Sequence, residues 1–161
     1  MEATRLRDQA EHATASVRPM FDHLSPRGIG TLNRDVLAVN IGLAVDCRFI
    51  PVFGATYGEL PISEWEYPFD EISLGKGDIS AETGLSSREV QLLHPLLIKA
   101  KYTLYWGSVI RDGVIVTCSG VQPWFDEFFA TSILALVSAT TDDDLRRLVQ
   151  NNSTNTYDRS W

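Results

Sequence analysis

The chain has 161 residues, 44% hydrophobic and 22% charged, with a formal net charge of -7. That is one domain's length and an ordinary globular composition. The acidic balance argues against nucleic acid and anionic membranes as partners. Phosphate binding needs clustered Lys and Arg, and the densest basic pair, Arg146-Arg147, sits beside three aspartates.

Two cysteines, Cys47 and Cys118, and three histidines make neither a disulfide framework nor a metal site. The first residues lack an apolar signal stretch, and no apolar run reaches the ~20 residues that span a bilayer. These features read as a cytoplasmic protein with reduced thiols.

Residues 2–17 read as a helix, with Ala3, Leu6, Ala10, Ala13 and Val17 at helical spacing and Pro19 as its stop. Residues 22–33, with Pro26, Gly28 and Gly30, read as a loop. Residues 36–45 form the clearest strand. Leu37, Val39, Ile41, Leu43 and Val45 share one face, and the small Ala38, Asn40, Gly42 and Ala44 share the other. A face of small side chains lets a helix or a ligand come close. Residues 46–48 form a tight connection to a paired strand over 49–53, which Pro51 places at an edge or a bulge.

An aromatic loop over 54–67 leads to a short helix over 68–79, weakened by Gly75 and Gly77. Ser86 and Glu89 fit a capping box that opens a helix through Val90, Leu93 and Leu97, kinked or ended by Pro95. Asp112-Gly113 between runs 104–110 and 114–118 signals a hairpin. Pro123 opens a helix carrying Phe125, Phe129, Ile133 and Val137. Thr141 caps a last short helix, with acids 142–144 ahead of Arg146 and Arg147, as the helix dipole favours. Residues 1–150 thus form one domain and 151–161 a polar tail. The order α-β-β-α-α-β-β-α-α implies an α/β (α+β) domain: a single antiparallel sheet with packed helices.

Several segments resemble a known family. The run Phe69-Asp70-Glu71-Ile72-Ser73-Leu74-Gly75-Lys76-Gly77 resembles a segment of GlcG/HbpS-like proteins that ends in Lys-Ala, with Gly77 in place of Ala. Thr83-Gly84-Leu85-Ser86-Ser87 is similar to the turn that follows it. Residues 107–113 resemble the family's Gly-Gly-(Ile/Val)-Pro-Ile hairpin, with Ser108 at the second Gly and no Pro. Val116-Thr117-Cys118-Ser119-Gly120 is similar to its Val-Ser-Gly strand end, and Asp126-Glu127 to the acidic pair opening its last long helix. Val45-Asp46 with residues 49–53 resembles its first hairpin. The resemblance covers roughly residues 36–138. It implies a profilin-like fold, assembly into homo-oligomers, and haem or a related small ligand as cofactor in some members. For many others no activity is settled, and fold alone does not carry function.

Each candidate residue has a sharp and a plain reading. Lys76 offers a point charge to a ligand carboxylate or phosphate; plainly, it is a solvated lysine or a helix-end contact. Asp126 and Glu127 offer acid–base chemistry if burial raises one of them. Adjacent helical residues point about 100° apart, so they do not face one site together, and plainly they complement the dipole.

Ser119 and Gly120 end a strand where backbone N–H groups can bind an anion, but Thr-Cys-Ser-Gly-Val is not a nucleophile elbow. Cys118 has no base adjacent in sequence to activate it and reads as buried filler. His12, His23 and His94 are the candidate haem-iron ligands, and none lies in a matched motif. Trp65, Tyr67, Tyr105, Trp106, Trp124 and Phe125 suit a pocket, a core or an interface.

The expected pocket lies between sheet and helices, near Lys76, Trp106, Ser119 and Trp124. Three functions remain open. The first is a module binding a flat or hydrophobic small molecule, with haem the candidate the family implies. The second is a small isomerase, lyase or cyclase using Lys76, His94, Asp126 or Glu127 on an aromatic or polycyclic metabolite. The third is a structural oligomer.

Overall fold

The structure, a computed structural model, describes residues 3–24 and 32–152. Its elements are α1 (Ala3–Leu24), β1 (Leu37–Val45), β2 (Arg48–Tyr57), α2 (Phe69–Thr83), α3 (Ser87–Leu93), β3 (Ser108–Arg111), β4 (Val114–Ser119) and α4 (Pro123–Asn152). The four strands form one antiparallel sheet in the order β2-β1-β4-β3. The chain is therefore a mixed α+β fold built from two hairpins joined through β1 and β4.

Both hairpins close on two residues with positive φ: Asp46 and Cys47 at 48° and 58°, Asp112 and Gly113 at 50° and 77°. Left-handed backbone at both central positions matches the strand twist. The pairing of β1 with β2 slips between Ile41↔Phe53 and Gly42↔Pro51, so Val52 is the extra residue of a bulge. β2 is an edge strand, where the missing N–H of Pro51 leaves no ladder partner unpaired.

The two faces of β1 meet different layers. Leu37, Val39 and Ile41 pack with Val116 and Cys118 of β4 against α1 and α4, forming the main core. On the other face, α2 lies across Ala38, Asn40 and Gly42. This second interface is largely polar. Asn40 donates to Ser73 Oγ, Ser73 and Thr117 exchange hydroxyl-to-carbonyl bonds, and Ser80 pairs with Ser108, all buried or half-buried. Gly77 closes the contact, because a Cβ there would lie 2.4 Å from the Phe49 ring.

Several boundaries differ from the sequence pattern, each for a tertiary reason. α1 continues through Pro19 to Leu24 because Phe21 is wholly buried between Tyr57 and Phe129, with ring centroids 5.4 and 5.6 Å away. β2 runs on to Tyr57, which pairs with Leu37 and donates to Thr14 O at 2.5 Å. α2 extends past residue 79 to Thr83 and stops at Gly84, left-handed at φ 72°.

The capping box at Ser86 and Glu89 forms, and α3 ends at Leu93 before a short 3-10 turn over Pro95–Leu97. Residues 104–107 are not strand; β3 starts at Ser108. The two expected C-terminal helices are one. Thr141 Oγ1 lies 2.8 Å from Val137 O within the helix instead of capping, and Asp144 reaches Arg5 and Gln9 on α1. Residues 25–31 of the expected loop and 153–161 of the expected tail lie outside the described residues. Among the described residues no helix is long and apolar enough to cross a membrane.

Candidate functional site: a buried ion pair beneath an aromatic cavity

Ser73, Lys76 and Ser80 follow at helical spacing and share the face of α2 turned to the sheet. This polar stripe is why α2 lacks an apolar period in sequence. Lys76 is neither solvated nor at a helix end: its side chain is 0% exposed. Its Nζ donates to Cys118 O at 2.8 Å and to Asp126 Oδ2 at 2.7 Å.

Asp126, in the first turn of α4, is equally enclosed, and its Oδ1 accepts the Val121 N–H at 3.2 Å. Burial pushes the Asp126 carboxyl up to about 6, against the opposing pull of the Lys76 ammonium. Burial pushes the Cys118 thiol up as well, which leaves it inert beside the pair. Gly107 makes the geometry possible. With φ at 141° it passes so close that a Cβ would meet Cys118 O at 2.6 Å, Asp126 Cβ at 2.7 Å and Lys76 Nζ at 3.0 Å.

A cavity of about 240 Å³ opens above this pair. Lys76, Asp126 and Ser119 line its floor, and Tyr67, Phe69 and Tyr105 its walls. Arg34 joins them, its guanidinium 5.5 Å from the ring centroids of both Tyr67 and Phe69, with Nε bonded to Glu66 at 3.3 Å. Two cationic side chains and one anionic one line the cavity, so its local sign is positive in a chain of net charge -7.

The structure brings Lys76, Ser119 and Asp126 together and leaves the other candidates apart. Glu127 turns away from Asp126, as helix geometry requires, and pairs with Arg88 at 3.2 Å. His94 is exposed at the C-terminus of α3. Trp124 is 59% exposed and does not line the cavity. Trp106 does not line it either; it is half-buried, and its Nε1 has no partner among the described residues. Tyr67 and Tyr105 belong to the aromatic group noted in the sequence. Arg34 has no sequence signal, since it falls in an irregular stretch with no pattern around it.

A shallower groove of about 570 Å³ is lined in part by Glu82, Lys99 and Lys101. Hydrogen bonds from both lysines and from Tyr102 hold the Glu82 carboxyl down at about 2. That groove is an open, self-neutralised surface. Among the described residues no group of three or more His, Cys, Asp or Glu is placed to hold a metal ion.

No family model, curated protein or solved structure matches the chain. Haem, the group implied by the resemblance, does not fit this cavity. Its volume lies below the about 300–1,000 Å³ usual for drug-sized ligands, and of the residue types that ligate haem iron only tyrosines line it, with no histidine, methionine or cysteine. His12 and His23 are exposed on α1, and His94 lies at the end of α3.

Proposed function

We propose that the chain is a small-molecule-binding module that takes a flat or hydrophobic ligand, smaller than haem, into the cavity above Lys76 and Asp126. The observation that carries this reading is a wholly buried lysine–aspartate pair lying at the floor of an aromatic-walled cavity. Removing two charges from water costs several kcal/mol per ion, and well-packed apolar residues would hold the fold as well. A pair buried at that cost, in a cleft, supports reading it as a site. The resemblance to GlcG/HbpS-like proteins supports the same class of function.

Protein-observed NMR of the ¹⁵N-labelled chain against one- and two-ring compounds tests it. Binding that protects the Ser119 and Val121 amides is the expected result; no binder in such a set would overturn it. A haemin titration read at the Soret band is expected to stay featureless.

An enzymatic reading has one supporting observation. A carboxyl raised to about 6 beside an aromatic-walled cavity is suited to accept and return a proton near neutral pH. Asp126→Asn would then abolish turnover of a bound compound while leaving its affinity measurable. Self-association, also implied by the resemblance, is supported by the exposed leucines Leu92, Leu93, Leu96 and Leu104, with a second copy of the chain as their occupant. Light scattering of Leu96→Ser against the unaltered chain tests it; a monomer in both would refute it.

A further inference from the structure

The charges of the cavity narrow its ligand. Arg34 and Lys76 supply two positive side chains and Asp126 one negative. Arg34 stacks on Tyr67 and Phe69 with its Nε held by Glu66. Among the described residues its terminal guanidinium nitrogens donate no hydrogen bond. A guanidinium fork of this kind matches a carboxylate.

On the floor, the Lys76 ammonium has three donors, and two are directed at Cys118 O and Asp126 Oδ2. Both side chains line the floor, with Asp126 keeping 3% side-chain exposure where Lys76 keeps none. An anion entering the cavity therefore meets Arg34 at the wall and the Asp126 carboxylate at the floor. The like charge at the floor is relieved by one proton.

Resting on the binding function just proposed, we propose that the ligand is a small aromatic carboxylate, clamped by Arg34 and taken up together with a proton that lands on Asp126. The proton comes from solvent through the cavity mouth. It forms an O–H bond on the Asp126 carboxyl, which then donates to the ligand carboxylate. The ligand's charge replaces that of Asp126 as the counter-ion of Lys76, so the count of buried charges is unchanged. The ring lies among Tyr67, Phe69 and Tyr105.

The other groups facing Asp126 do not offer that proton site. The Cys118 thiol from β4 stays protonated, held up by burial and by the Asp126 charge against the opposing pull of Lys76 from α2. Arg34, ahead of β1, carries donors only and accepts no proton. Glu127, next along α4, is turned to Arg88.

Benzoate and nicotinate, with benzamide and nicotinamide as neutral counterparts of the same shape, are titrated into ¹⁵N-labelled protein and followed at the Ser119, Gly120 and Val121 amides. The carboxylates are expected to bind at least tenfold tighter than the amides. Uptake of one proton makes their Kd rise about tenfold per pH unit above pH 6 and level off below it. Arg34→Gln is expected to lose the carboxylate preference while keeping amide binding, and Asp126→Asn to lose the pH dependence.

Should Asp126→Asn fail to fold, the pH series on the unaltered chain decides alone. Equal binding of acids and amides, or a flat pH profile, overturns the carboxylate proposal and leaves the binding function standing. Failure of both series to move the cavity amides at millimolar concentration overturns the two together.

Discussion

Two glycines in α2, two residues apart, respond oppositely to the same change. At Gly75 a Cβ would meet nothing within 4 Å. Gly75→Ala therefore adds only helix propensity and less unfolded-state freedom, a gain of about 0.5–1 kcal/mol. At Gly77 a Cβ would lie 2.4, 2.7 and 2.9 Å from three atoms of the Phe49 ring. That ring cannot simply swing away: it is buried, packed with Ala81 and Ile115, and its backbone N–H is tied to Asp78 Oδ1 at 3.3 Å.

Overpacking of this kind costs about 1–3 kcal/mol, which outweighs the propensity gain and leaves Gly77→Ala net destabilising by about 1–2 kcal/mol. For a chain of this length each kcal/mol moves Tm by about 2–4 °C. Urea and thermal unfolding followed by circular dichroism give the free energies and the Tm values, and the two Tm shifts are expected to carry opposite signs. Equal gains from both variants would show that α2 does not sit this closely on the β1–β2 hairpin, and the polar seam beneath Lys76 would have to be redrawn.

Asp126 holds its proton more tightly folded than unfolded. Its contribution to stability is therefore fully present below about pH 4 and lost as pH rises through about 6. Between pH 4.5 and 7 the fold should lose about 2 kcal/mol through this group, and Asp126→Asn should flatten the slope. A rise in urea midpoint over that range would contradict the burial described. Glu82 works the other way, below pH 4.5, and is kept out of the window. Ser86→Ala removes both hydrogen bonds of the hydroxyl in the capping box of a seven-residue helix and is expected to cost about 1 kcal/mol in the same assay. Cys47→Gly removes left-handed strain of about 1–2 kcal/mol at φ 58° against an entropy cost of about 0.5–1 kcal/mol, and should raise the urea midpoint slightly.

The parts of the fold legible in the sequence are those set by local rules. The two-residue period of β1, the Asp112-Gly113 turn, the Ser86 box and Pro123 at the start of α4 are all local signals. Boundaries shifted where distant packing outweighed local preference, as when the burial of Phe21 carried α1 past Pro19. The site was legible in its members but not in their relation. Lys76 and Asp126 are 50 residues apart, and each alone has a plain surface reading. What a sequence does show is the gap in the apolar pattern of α2: serines and a lysine at core-facing spacing, in a helix that must be covered on that side.

Both free edges of the sheet are blunted. β2 carries Pro51 and the Val52 bulge, and β3 at the opposite edge is only four residues long. Neither offers a straight row of unpaired amides and carbonyls onto which a foreign strand can add. The fold is thereby guarded against the edge-to-edge stacking that seeds fibrils, and concentrated solutions should resist forming cross-β aggregates. Assembly of copies through side chains on the helical layers would let single substitutions tune it without disturbing the backbone pairing of the sheet.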